Sequence, residues 1–506
     1  VSSTSSHQVH AIGATLVRWL RALRDRETRR AGPLVARAFH LLLGLIFLDA
    51  FVSLGSQLRV LIGSRGLLPA APLLEALRER SDISWLNFPT LFWIDASDTT
   101  LLAGCWLGAA LAIAAAAGLR SRLCFALLVP LYLGYATVAR SFLSFQWDNL
   151  LLECGLLAVF LPRDRPALWI HMLLRLLLWK LYFESGLAKW QSSLGDWYDG
   201  SAMTFYYETA PIPTWLAWYA HALPESWHQL ESRLTLIVEL VLPLGIFGPR
   251  RARLTALVVL MGFQLLNLAT ANYGFFVHLA VALHVFLLDE ADLVRLRRFA
   301  ANWLPRWPRR RDPREPPRPR RLLRLRRAGA AVLAASFLGI SSIEGIRAFA
   351  DWPAFNRAVS PLRSVYSPFR LVNVYHLFAQ ITRERIEPGF QTRAGSVWTE
   401  HALWYKPGPL DRPPPFVAPH QPRVDFALWF YGLGFRRSTP EYVQNLIARL
   451  CLDPAAVQPL FTSKLPDAPD AVRIVFGRYQ FAAADDGAYW TRRDVAELGP
   501  VSCDTL

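Results

Sequence analysis

The residues of this sequence with most capacity for chemistry are charged and amide side chains set inside apolar runs. In SFLSFQWDNLLLECG (141–155), Gln146, Asn149 and Glu153 are spaced by three and four, which places them on one face of a helix. Asp148 falls on another face, and with Trp147 is expected to mark the outer interface. The following run, LWIHMLLRLLLWKLYFESGLAKW, carries His171, Arg175, Lys180, Glu184 and Lys189, and Glu239 lies in a further apolar stretch, LTLIVELVLPLG. Lys180 and Glu184 are four apart and can pair within their helix; Arg175 or Lys180 can equally neutralise Glu153 from the neighbouring helix. A charge facing hydrocarbon costs about 2.5–3.5 kcal/mol even on insertion scales, so these groups are expected to face the bundle interior. Two readings compete. One is a set of interhelical ion pairs and hydrogen bonds that fixes packing. The other is a polar cavity that holds a ligand or moves a proton.

A second cluster is aromatic. Residues 190–230 combine Trp197, Tyr206 and Tyr207 with Glu208, His221 and His228. Such a segment is expected to lie on the outer membrane surface as an anchor, or to serve as a recognition surface for lipid or for another chain. No GxSxG, HExxH, P-loop or GxGxxG in a strand–helix context occurs, so no cofactor is signalled. His278 and His284 are six apart, not the spacing of two metal ligands on one helical face, and no metal site is expected. Of five cysteines, Cys105, Cys124 and Cys154 fall in apolar runs; Cys451 and Cys503 lie in the polar C-terminal region, free either to pair or to remain buried thiols. There is no CxxC.

These residues need elements to hold them. The chain has 506 residues, 53% hydrophobic, with a mean hydropathy of +0.23, too apolar for an ordinary soluble domain. Apolar runs of spanning length occur near 36–56, 100–118, 122–139, 145–162, 167–189, 231–248, 252–270, 272–289 and 328–347. The sequence therefore predicts a polytopic α-helical membrane protein with about nine transmembrane helices. The Arg-rich stretch RWLRALRDRETRR and the loops GLRSR, PRDR and GPRRAR all fall on one side, with the linker 291–327, which fixes that side as cytosolic. The opening VSSTSSHQVH is not expected to be a cleavable signal peptide. The formal net charge is +16, and 291–327 alone holds fourteen Arg against Asp292, Asp312 and Glu315. No recognition motif accompanies this charge, so nucleic acid is not an expected partner; lipid headgroups are.

The expected organisation is a cytosolic basic segment 1–35, a helical bundle 36–290 with the aromatic outer loop 190–230, the Arg-rich linker 291–327, a last span 328–347, and a β-rich extramembrane domain 350–506. That domain reads as alternating runs (SVWTEHALWYKPG, VDFALWFYGLGF, AVRIVFGRYQFA), with one short helix near 440–451 and an extended Pro-rich stretch, DRPPPFVAPHQPR.

Long motifs resemble one family. SFQWDNLLLECGLLAVFL, the helix ending SGLAKW, YYETAPIPTWLAWYAHALPESWHQLE with ELVLPLGIF, GLLPA and NYGFFVHLAVALHVFLLDE resemble the lipase maturation factor family. So do LVNVYHLFAQITRERIE, WTEHALWYKPGPLDRPPPFVAPHQPRVDFALWF and RRDVAELGPVS towards the C-terminus. The resemblance implies a membrane-embedded, chaperone-like maturation factor for secreted client proteins such as lipases. It also implies a C-terminal domain in the lumen of the endoplasmic reticulum. The Ala/Arg/Leu-rich composition suggests a bacterial member, which would put the chain in the inner membrane and that domain in the periplasm. YFESGLAKW…DWYDGSAM is similar to a lysine-bearing segment of vitamin K-dependent gamma-carboxylases. That similarity implies the alternative of an enzyme whose base is Lys189, although Ala188 stands where that family has a second lysine.

Overall fold

The computed structural model describes residues 31–165, 167–300, 320–483 and 485–505. Most of the basic N-terminal segment and the centre of the Arg-rich linker lie outside the described residues. Helix is found at each expected apolar run. Among the described residues, five helices are long and apolar enough to cross a membrane: Pro33–Ile62, Asp98–Ala116, Ser121–Val138, Arg250–Thr270 and Arg327–Phe349. The charged helix Leu168–Trp190 has 23 residues, a length of about 35 Å at 1.5 Å per residue. It packs beside Gln146–Phe160, Glu225–Leu240 and Phe276–His284. Local signals set the ends: the Ser97 hydroxyl caps the Asp98–Ala116 helix by accepting from Thr100 N–H, with Asp98 in its first turn.

The expected aromatic loop is mostly helical. Residues 190–230 fold into Ala202–Thr209, Trp215–His221 and the start of Glu225–Leu240. Thr214 caps the second of these.

The C-terminal region is built on one antiparallel sheet, ordered β2-β1-β3-β4, from β1 (Arg385–Ala394), β2 (Val397–His401), β3 (Ala471–Phe481) and β4 (Trp490–Ser502). Phe390 stands opposite both His401 and Ile474, and Gly395 supplies the left-handed turn (φ +60°) between β1 and β2. The stretch VDFALWFYGLGF, expected as a strand, is instead part of the helix Arg423–Gly434. Its apolar residues do not alternate cleanly, and a buried apolar run cannot be assigned by periodicity alone. The helix lies on β1, where a Cβ on Gly432 would sit 2.0 Å from the Ile386 carbonyl; only glycine permits that approach. A second helix, Glu441–Leu452, is joined to the end of β4 by a disulfide between Cys451 and Cys503, with Cα atoms 5.1 Å apart.

Candidate functional site: a polar seam between bundle and C-terminal domain

Two segments of the C-terminal region enter the bundle, and its buried polar residues hold them. The first is 373–381. Glu153 accepts from the Tyr375 hydroxyl at 2.7 Å and from the Asn373 backbone N–H and side-chain amide, each at 3.1 Å. Lys180 lies 3.6 Å from Glu153 and donates to the Asn373 carbonyl at 2.7 Å and to Ser341 at 3.3 Å. Glu184 accepts from Tyr375 N–H at 2.9 Å, Gln146 from His376 N–H at 3.0 Å, and Asp196 from Ile381 N–H at 3.0 Å. The bundle thus satisfies successive main-chain groups of this segment with side chains, as a protein does for a bound extended peptide.

Lys189 closes this row. Its ammonium donates to both Glu239 oxygens, at 2.7 and 3.0 Å, and to the Leu377 carbonyl at 2.9 Å. Three acceptors match the three donors of an ammonium. Trp197 lies beneath, with its ring centre 5.1 Å from the Lys189 nitrogen, and its indole N–H donates to the Phe378 carbonyl at 3.0 Å. A cavity of about 70 Å³ adjoins them, lined among others by Tyr206, Tyr273, Gln264 and Phe378. It has room for a few waters, against roughly 300–1,000 Å³ for a small-molecule site.

The second segment is 415–425. Asn272 accepts from Val417 and Ala418 N–H at 2.7 and 2.9 Å, and donates to the Pro415 carbonyl at 2.8 Å. The Ser53 hydroxyl meets the His420 ring at 2.9 Å and Gln421 N–H at 3.1 Å. Gly274 has φ +51°, and a Cβ there would lie 2.4 Å from the Gln421 side-chain oxygen. Near its end Arg423 grips Asp148 with two bonds of 2.7 and 2.9 Å; Tyr132 donates to the same carboxylate at 2.6 Å. Asp148, expected at the outer interface, is therefore fully buried beneath the C-terminal domain.

Of the residues expected to act together, Gln146 and Glu153 meet the first segment. The Asn149 side-chain oxygen has no hydrogen-bond partner among the described residues. Lys180 pairs with Glu153 rather than with Glu184, and Arg175 donates to the Phe286 carbonyl at 2.9 Å. In the outer segment, Tyr206 bonds Tyr273 at 2.8 Å and Tyr207 donates to Glu231 at 3.1 Å. Glu208 accepts from Phe481 N–H at 2.8 Å and lies 3.7 Å from His221. His228 contacts Glu231 at 3.4 Å and the His221 carbonyl at 3.2 Å. Trp197, Tyr206, Tyr207, Glu208 and His228 are thus buried, and what this segment turns outward is Trp215, Tyr219 and Trp227.

Sequence reasoning missed a further cross-domain cluster. Arg385 donates to the Glu208, Ala210 and Pro211 carbonyls at 3.0, 2.5 and 3.0 Å. Glu387 pairs with Arg385 and with Lys406, both at 2.7 Å. Burial lowers Lys406 to about 8, with Glu387 opposing, and burial raises Asp425 to about 6, with the bond from Tyr405 N–H opposing. Isolated charges in a polar domain carry no mark of burial, so no sequence signal separated these residues from surface ones.

The comparisons with known proteins follow the same two parts of the chain. The lipase maturation factor transmembrane domain matches residues 34–295, and the lipase maturation factor C-terminal domain matches 371–500. The second match begins where the chain enters the bundle. The chain is 30% identical to chicken (Gallus gallus) lipase maturation factor 2, over 90% of this chain and 80% of that protein. It is 28% identical to human (Homo sapiens) lipase maturation factor 2, with the same coverage, and 29% identical to bovine (Bos taurus) lipase maturation factor 1, over 95% of this chain and 91% of that one. No solved structure matches. On the extent of these matches, the chain belongs to the lipase maturation factor family.

Proposed function

We propose that this protein is a membrane-embedded maturation factor that assists folding or assembly of secreted clients, lipases being the class named by its relatives. In this reading the chain crosses the membrane nine times, and the region from 350 onward works on the outer side, in the periplasm or the endoplasmic reticulum lumen. The observation that carries it is the seam. Glu153, Lys180, Glu184, Lys189 and Asp148 of the bundle hold the C-terminal domain, which leaves that domain's outer surface and the exposed Trp215, Tyr219 and Trp227 of the bundle's outer segment to meet clients and lipid. Deletion of the gene in its host, followed by comparison of the exported proteome, tests the proposal. Loss of particular secreted enzymes supports it; an unchanged proteome with altered lipids or quinones sinks it.

The rival, an enzyme centred on Lys189, needs a ligand-sized pocket where the structure has about 70 Å³. Replacing the pair together, Lys189→Met with Glu239→Leu, separates the two readings. Client maturation should persist in the double variant if Lys189 is structural, and should vanish, with the fold intact, if it is a base.

A further inference from the structure

Two helices end side by side at one level. The Gln191 side chain, just past the Leu168–Trp190 helix, donates to the Phe349 carbonyl at 3.1 Å, at the end of the apolar helix Arg327–Phe349. On the topology proposed above, on which this inference rests, the outer boundary of the apolar layer falls here, and the exposed Trp190 and Leu194 suit an interface. Ser193 then accepts from the Gln380 side chain at 3.0 Å, which fastens the start of the C-terminal sheet at the same level.

A groove of about 820 Å³ opens there, between Leu194, the 380–386 segment, the end of the Arg423–Gly434 helix and the neighbouring parts of β3 and β4. Its charge is one-sided. Arg383, Arg436, Arg478 and Arg493 line it, with Glu384 and Asp494 as the acids. Both acids are engaged: Glu384 by Arg478 at 2.9 Å, Asp494 by Arg492 at 2.7 Å. Among the described residues, Arg383, Arg436 and Arg493 form no ion pair. Arg383 donates to Ser201 at 3.2 Å and lies over the Phe205 ring, a posture that leaves donors of its guanidinium for another acceptor.

We propose that this groove binds the headgroup phosphate of an anionic phospholipid of the outer leaflet, with Arg383, Arg436 and Arg493 on the phosphate and Leu194 and Leu433 against the glycerol and first methylenes. The planar guanidinium fork matches phosphate oxygens, and under that topology the groove faces the headgroup layer. The apolar rim at the boundary favours a lipid over a soluble anion.

The test uses the full chain in neutral detergent, titrated with fluorescent short-chain phosphatidylglycerol and phosphatidylcholine. Phosphatidylglycerol should bind about tenfold more tightly or better, because phosphatidylcholine offers the same phosphate together with a choline cation that the three arginines repel. The variant R383Q/R436Q/R493Q should lose that preference, with phosphatidylglycerol weakened more than phosphatidylcholine, and keep its unfolding midpoint. Equal binding of the two lipids by the wild type, or an undiminished preference in the variant, overturns the proposal. So does displacement of phosphatidylglycerol by an equal concentration of inorganic phosphate or of an acidic peptide, which would assign the groove to a soluble anion or to a polypeptide. If the triple variant does not fold, the single substitutions are titrated instead, and the proposal fails unless at least one weakens phosphatidylglycerol more than phosphatidylcholine.

Discussion

At the scale of single residues, the seam turns on charges that cannot be left alone. Asp148 and Arg423 are both buried and bonded to each other and to Tyr132. Removing one partner strands the other, which costs about 3–5 kcal/mol, whereas replacing both with apolar side chains of similar volume is often neutral. Arg423→Met should therefore lower stability by that amount, and Asp148→Leu with Arg423→Met should recover most of it, as read from thermal unfolding in detergent. Asp425 allows a test by pH. Burial raises it from an ordinary value near 4 to about 6. Between those values the folded protein keeps a proton that the unfolded chain has released. Its contribution to stability is thus fully present below about pH 4 and is lost as pH rises through about 6. Asp425→Asn should flatten the fall in unfolding midpoint across that window; an unchanged slope would show that Asp425 does not titrate there. Part of this scale was legible in the sequence. The three-and-four spacing of Gln146, Asn149 and Glu153 located a polar face, and burial of charge in an apolar run foretold a partner. One partner of Glu153, Lys180, was among the two cations the sequence offered; Asn373 and Tyr375 were not legible, because they lie about 220 residues downstream.

At the scale of elements, pattern served best where one environment surrounds a whole segment. The long apolar helices were legible because hydrocarbon demands an unbroken run. The runs that became β2 and β3 were legible from their β-branched and aromatic residues between turn signals. The Arg423–Gly434 helix was not, since it is wedged between β1 and the bundle and shows neither period. The outer aromatic segment misled for a related reason: its aromatic density reflects burial against β3 and the neighbouring helices as much as an interface. The Cys451–Cys503 disulfide ties the Glu441–Leu452 helix to the end of β4 across 52 residues of sequence. Closing a loop of that size in the unfolded chain stabilises by about 2–4 kcal/mol in typical cases. Cys451→Ser with Cys503→Ser should lower the unfolding midpoint of the C-terminal domain, and a reductant should bring the wild type to the variant's value without moving the variant. A reductant that leaves the wild type unmoved would count against this role.

At the scale of the whole molecule, the question is whether the C-terminal domain is held by two separate clasps or by one cooperative interface. Segment 373–381 is bound by Glu153, Glu184, Gln146 and Asp196, and segment 415–425 by Asn272, Ser53 and Asp148. No residue in these contacts serves both segments. The other bundle side chains come from different parts of the bundle, and only Gln146–Phe160 serves both, with Gln146 and Glu153 in one clasp and Asp148 in the other. Local opening is governed by the bonds of the segment that opens, unless packing couples the two. Asn272→Ala removes the acceptor shared by Val417 and Ala418 N–H. Hydrogen exchange should then accelerate at these two amides by about tenfold or more, given a net cost of about 1.5 kcal/mol or above for their lost bonds. The amides of Asn373, Tyr375 and His376 should keep their protection, because Glu153, Glu184 and Gln146 are untouched. Equal acceleration in both segments would mean instead that the seam opens as a unit, with Gln146–Phe160 as the element that couples its halves.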